Sequence, residues 1–384
     1  MNRIRLIFFI LLTSLLLSCN RTPEVTEPTP SENTITPTTI VNGLVHPWGM
    51  TFLTETRFLV TERNGGLQLY DGEKLIEIPH SLDVLQEGQG GLLDIQASPD
   101  YAQTGYIYMT YAKRVTNSTS TTALIRFKIN SNVMFEVEEL FVASPAYNSE
   151  AHYGSRIGFD QSAHIFVTLG DRNAYSTASS ISDVFQAFPQ RLDNHWGKVI
   201  RLNGDGSIPQ DNPFVGQADA LDEIYTYGHR NPQGIAFKAS HDEILINEHG
   251  AQGGDEVNIL EPGKNYGWPV ITYGKDYNGR SIGLGTSREG MEQPLLYWDP
   301  SIAPSSMAYY QGNRYPDWKN QWFVSALAEE TLVRLSWDGQ TLTEEEQLYR
   351  NQLGRIRAVV ESPDGLLYLL TDSSNGRVVQ LAVD

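Results

Sequence analysis

A short strand-turn-strand unit recurs six times along this chain, and that repeat limits the fold more than any other feature. Each unit opens on a small or polar residue and a brief apolar run: 49–52, 91–95, 155–159, 234–237, 306–310 and 357–360. A second apolar run follows each: 58–61, 106–110, 165–169, 244–247, 322–326 and 366–370. Turn residues such as Ser98-Pro99-Asp100 and Ser362-Pro363-Asp364-Gly365 separate several pairs. Third strands appear at 67–70, 198–202 and 332–336, with Asp71-Gly72 and Asp338-Gly339 as turns. The spacing averages roughly 62 residues, and no long amphipathic helical pattern intervenes. Six such sets predict an all-β, six-bladed β-propeller, which hides its sheet edges by closing into a ring. A β-sandwich accommodates so many similar units poorly. Thr39-Ile40-Val41 is expected to give an outer strand to the last blade, and nothing divides 39–384 into smaller domains.

The N-terminus is of a different kind. Met1-Asn2-Arg3-Ile4-Arg5 precedes an apolar run from Leu6 to Leu17, then Ser18 and Cys19. The run is too short to span a bilayer and has the form of a secretory leader. Leu16-Leu17-Ser18-Cys19 resembles a bacterial lipobox, which implies cleavage after residue 18 and acylation of Cys19. The domains expected are therefore a leader (1–18), a Thr/Pro/Glu-rich lipid-anchored tether (19–38) and the propeller (39–384). Contact with a membrane is expected through the anchor only. The protein would stand in the cell envelope, facing the periplasm or the exterior.

Cys19 is the single cysteine, so an intramolecular disulfide and a cysteine-based zinc site are excluded. With 28 Lys and Arg against 46 Asp and Glu, the net charge is −18, which argues against nucleic-acid binding. No Gly-rich dinucleotide fingerprint sits between a strand and a helix.

The longest intervals, 155–234 and 234–306, hold polar Gly/Pro-rich loops, so chemistry is expected around residues 150–275. Five motifs stand out. They are Gly88-Gln89-Gly90-Gly91-Leu92-Leu93-Asp94, His152-Tyr153-Gly154-Ser155-Arg156 and Tyr227-Gly228-His229-Arg230-Asn231-Pro232-Gln233-Gly234. The fourth runs from Asn247-Glu248-His249-Gly250-Ala251 through Asp255-Glu256 to Asn265-Tyr266-Gly267-Trp268-Pro269, and the fifth is Arg355-Ile356-Arg357. In this order the set resembles the soluble glucose/aldose sugar dehydrogenases that use pyrroloquinoline quinone (PQQ), over roughly residues 40–384.

The resemblance implies oxidation of an aldose at C1 to the lactone, with electrons passed on to a quinone or other acceptor. His152 would be the general base, a role suited to an imidazole near neutral pH. Gln89, Arg230, Asn231, Arg355 and Arg357 would hold PQQ, whose three carboxylates suit planar guanidinium forks. Calcium (Ca2+) would be bound by the carbonyls of Gly250 and Ala251, polarising the quinone, and a second ion by Glu256 and Tyr266. Three positions depart from the family pattern. Ala328 stands where a Lys is common, Glu87 where His is frequent, and Ser155 where Gly is usual. Two other readings stay open on the same fold: a cofactor-free binding module, favoured by Ala328, and a calcium-dependent lactonase-type hydrolase. The hydrolase would need Glu62, Asp94, Asp171 and Glu248 to converge in the channel.

Overall fold

A computed structural model describes residues 34–174, 185–238 and 243–383. The leader, Cys19 and the tether up to residue 33 lie outside these residues. Ile35–Asp384 forms one compact unit.

The described residues form six four-stranded antiparallel sheets. Blade I holds Pro47–Phe52, Phe58–Glu62, Leu67–Tyr70 and Leu75–Glu77. Blade II holds Leu92–Ala97, Ile107–Arg114, Ser120–Asn130 and Val133–Val142. Blade III holds Ile157–Phe159, Ile165–Leu169, Lys198–Leu202 and Ile224–Tyr227. Blade IV holds Pro232–Lys238, Glu243–Glu248, Asp255–Ile259 and Leu296–Trp298. Blade V holds Pro304–Tyr309, Trp322–Ala326, Leu332–Trp337 and Leu342–Leu348. Blade VI holds Ile356–Glu361, Leu367–Thr371 and Gly376–Val383. The innermost strand of each blade touches those of both neighbours, which closes the six-bladed propeller.

The ring is fastened by the start of the chain. Ile35–Leu44 is the outer strand of blade VI, with Ile35 opposite Val383 and Leu44 opposite Gly376. The strand begins four residues before the expected domain start, within what composition marks as tether. Pro37 is tolerated because this strand lies at the sheet edge, where a missing N–H breaks no ladder.

Burial explains the continuous apolar runs. Phe58–Glu62, Ile165–Leu169, Trp322–Ala326 and Leu367–Thr371 are buried at every position. A blade is packed by a neighbour on both faces, so period-2 alternation would place polar groups in a core. Six apolar clusters fill the six blade-to-blade interfaces; Leu59, Ile95 and Phe127 join I to II, and Leu245, Met307 and Trp322 join IV to V.

The central channel has a polar plug. Arg156 of blade III donates from Nη1 to Asp94 Oδ1 of blade II at 2.9 Å. Its Nε donates to the Gln233 carbonyl of blade IV and its Nη2 to the Ser305 carbonyl of blade V, each at 2.8 Å. The guanidinium carbon lies 4.1 Å from the ring centroid of Trp48 in blade I. One buried side chain thus bridges five blades.

Candidate active site

The strand ends of blade III build the reactive pair. His152 precedes the innermost strand and is buried in a left-handed conformation, φ 51°. Asp171 follows the second strand and is fully buried. Antiparallel pairing brings the two ends together, and His152 Nδ1 donates to Asp171 Oδ1 at 2.6 Å. Gly170 has to be glycine, because a Cβ there would stand 2.2 Å from the His152 carbonyl.

Asp171 is itself held. Its Oδ2 accepts from Trp268 Nε1 at 2.8 Å and its Oδ1 from the Asn173 N–H at 2.7 Å. Burial opposes its ionisation, but the His152 imidazole, Arg230 and the Asn173 N–H outweigh it and hold the carboxyl below its ordinary range. Burial, followed by the charge of Arg230, lowers His152 against the pull of Asp171. An ionised carboxylate on Nδ1–H leaves a neutral ring whose Nε2 lone pair is free to act as a base.

A cavity of about 260 Å³ lies close by, lined by Tyr153 and Gly154 next to His152 but not by His152 or Asp171 themselves. Gln89, Arg355 and Arg357 line it, together with Trp48, Tyr153 and Leu327. Gln89 ties it to His152, since Gln89 Oε1 accepts from the His152 N–H at 2.8 Å. Asn231 is tied in through Gly154, whose N–H donates to Asn231 Oδ1 at 3.1 Å. Arg230 does not line this cavity; it lines a smaller neighbouring one and donates from Nη1 to the His249 carbonyl at 3.1 Å. Arg355 is exposed and donates to the Leu327 carbonyl at 3.2 Å. Arg357 is buried, donating to Gln233 Oε1 at 2.8 Å and to Asp372 Oδ2 at 2.7 Å.

Other residues of the cavity were not anticipated. His249 lines it with its Nε2 buried and unpartnered, and burial, Arg230, Arg357 and His152 together push the ring down to about 3. It stands inside the fourth motif, which was its only signal. Arg63, His46 and Asp372 also line the cavity and carry no motif.

A smaller neighbouring cavity is lined by Glu248, Gly250, Glu256 and Tyr266. Burial first, then Glu248 and Asp255, raise Glu256 to about 8. Two carboxylates crowded in this way suit a hard cation. The Tyr266 hydroxyl is spent, donating to the Ile259 carbonyl at 2.6 Å and accepting from the Glu261 N–H at 3.0 Å. Only its main chain is left to serve an ion. The Gly250 carbonyl accepts from Arg230 Nη1, so an ion there competes with that guanidinium. Ala251 pairs locally with Gly253.

The four carboxylates of the hydrolase reading do not converge. Glu62 accepts from the Val45 N–H at 2.5 Å and from Gln68 Nε2 at 2.9 Å. Asp94 is paired with Arg156, Asp171 with His152, and Glu248 with His229 Nδ1 at 3.0 Å and the Arg230 N–H at 2.7 Å. No group of three His, Cys, Asp or Glu side chains among the described residues is arranged to hold a metal. At the departures, Glu329 beside Ala328 turns away to pair with Arg350, and Ser155 keeps the glycine-like φ of 82°.

The chain is thus a closed six-bladed propeller that carries a buried His152–Asp171 pair near a cavity lined by three guanidinium groups. Residues 44–380 match the Glucose / Sorbosone dehydrogenase family, and the chain belongs to it. It is 37% identical over 346 residues to the aldose sugar dehydrogenase YliI of Escherichia coli, covering 88% of this chain and 90% of that one. It is 28% identical over 359 residues to quinoprotein glucose dehydrogenase B of Acinetobacter calcoaceticus, covering 75% and 74%. A crystal structure of a glucose dehydrogenase superposes with a TM-score of 0.85 at 38% identity, covering 91% of this chain and all of that one.

Proposed function

We propose that the protein is a PQQ-dependent dehydrogenase that oxidises an aldose at C1 to the lactone. It is a sugar dehydrogenase by family, and the two curated relatives above are named for aldose sugar and for quinoprotein glucose oxidation. The carrying observation is the neutral His152, held by Asp171, beside a cavity with three guanidinium groups. His152 Nε2 takes the proton of the C1 hydroxyl, and Asp171 stabilises the imidazolium that forms. Arg230, Arg355, Arg357, Gln89 and Asn231 would hold a planar tricarboxylate, and Arg156 plugs the channel between the blades. When bound, PQQ supplies the hydride acceptor and calcium its Lewis acid. The reduced enzyme passes its electrons to a quinone or other acceptor.

The decisive test adds PQQ and calcium to the apo-protein and follows the cofactor spectrum and aldose-dependent reduction of a dye. A spectral change with dye reduction is expected. A protein that shows neither is a binding module instead. His152→Ala is expected to lower turnover on the order of 10²–10⁴-fold with the cofactor still bound. Calcium is expected to raise the melting temperature by mass action, less so in Glu256→Gln.

The leader and Cys19 support anchoring in the cell envelope by acyl chains. Among the described residues no helix is long and apolar enough to cross a membrane. Cys19→Ser is expected to move the protein from the membrane fraction to the soluble one. Unchanged fractionation would exclude the anchor.

A further inference from the structure

The charged side chains that line the 260 Å³ cavity do not balance. Arg63, Arg355 and Arg357 face it with a single carboxylate, Asp372. Arg357 holds Asp372 Oδ2 at 2.7 Å, and Arg63 Nη2 stands 3.8 Å from Oδ1, which already accepts from His46 Nδ1 at 2.7 Å. One buried carboxylate thus serves two guanidinium groups. Arg63 Nη1 has only the Gly88 carbonyl at 3.2 Å, and its Nε is buried without a partner. Burial, with the charges of Arg63 and Arg156, lowers Arg357 to about 10 against the pull of Asp372, as expected where positive charge is in excess.

The position of Arg63 is built, not incidental. A Cβ on Gly91 would stand 2.3–2.7 Å from the main chain of Arg63, and Gly91 itself has a φ of 145°. The Arg63 N–H donates to the His46 carbonyl at 3.2 Å. The Gly88–Gly91 motif therefore seats Arg63 at the cavity.

We infer that Arg63 is a cofactor-binding residue that pairs with a carboxylate of the bound tricarboxylate. This rests on the PQQ reading above. The surplus guanidinium is then neutralised by the ligand, and Asp372 remains the partner of Arg357.

Calorimetric titration of PQQ into calcium-loaded protein tests this without turnover. Arg63→Met is expected to bind about 10–100-fold more weakly, the usual scale for a charge-assisted hydrogen bond. Its binding should also be less sensitive to added salt than that of the wild type. Arg63→Lys keeps the charge and loses the fork; it is expected to fall between the two in affinity, with wild-type salt sensitivity. Arg334→Met, outside the cavity, serves as the control. If the wild type binds PQQ and Arg63→Met binds it equally well, the inference fails and the functional reading stands. Weaker binding with unchanged salt sensitivity also overturns it, because a packing defect would do the same. A wild type that binds no PQQ overturns the functional reading itself.

Discussion

At the scale of single residues, the Nδ1–H of His152 decides what the site can do. Asp171 accepts that proton, and two further donors, Trp268 Nε1 and the Asn173 N–H, keep Asp171 ionised. Because burial lowers His152 from its ordinary value of 6.5, the proposed base is already neutral at pH 7. The kcat/KM profile is therefore expected to be flat near neutrality and to fall only in acid, below pH 6.5. Asp171→Asn removes the one group that raises the imidazole. It should displace the acid limb to still lower pH and cut turnover by about 10⁴-fold, as loss of the carboxylate does in a Ser-His-Asp site. A profile whose acid limb rises or stays in place would show that Asp171 does not orient the base. His152, Arg230, Asn231 and Arg357 were legible in sequence because they sit in motifs. Arg63 and Asp372 were not, since an isolated Arg or Asp on a strand end has no signature of its own. The pairing of Asp171 with His152 was equally hidden, and the same residue fitted a hydrolytic reading until its partner was known.

At the scale of elements, the strands were readable and their ends were not. The continuous apolar runs at 165–169 and 322–326 are strands buried on both faces, and sequence marks these with correct bounds. Ile35–Leu44 was read too short, because its Thr and Pro content matches that of a tether. Its partner strand, distant by more than 330 residues, supplies the hydrogen bonds that make it a strand. Truncation to residue 34 is expected to leave thermal melting unchanged. Truncation to residue 44 should destabilise blade VI by at least about 3 kcal/mol, from Val41 and Leu44 alone at ~1.5–3 kcal/mol each. Equal melting of the two proteins would mean that the strand does not fasten the ring.

At the scale of the whole molecule, the blades meet through six apolar interfaces and one central ion pair. Arg156 and Asp94 are both buried, so removing one leaves an uncompensated charge in the core. Arg156→Met is expected to cost about 3–5 kcal/mol, read as a lower denaturant midpoint at unchanged slope. Arg156→Met with Asp94→Asn should recover part of that loss. A double variant no better than the single one would place the stability in the stacking on Trp48 instead.

Sequence alone determined the blade count and the apolar strands, and it marked the motifs that hold Gln89, Arg355 and Arg357, because repeat spacing and hydrophobic runs are local properties of a chain. Tertiary structure alone decided which carboxylate serves the base, which guanidinium groups share Asp372, and that Glu62, Asp94 and Glu248 are braces. Those outcomes depend on contacts between residues far apart in sequence, which a ring places side by side, as with His46 and Asp372, 326 positions apart.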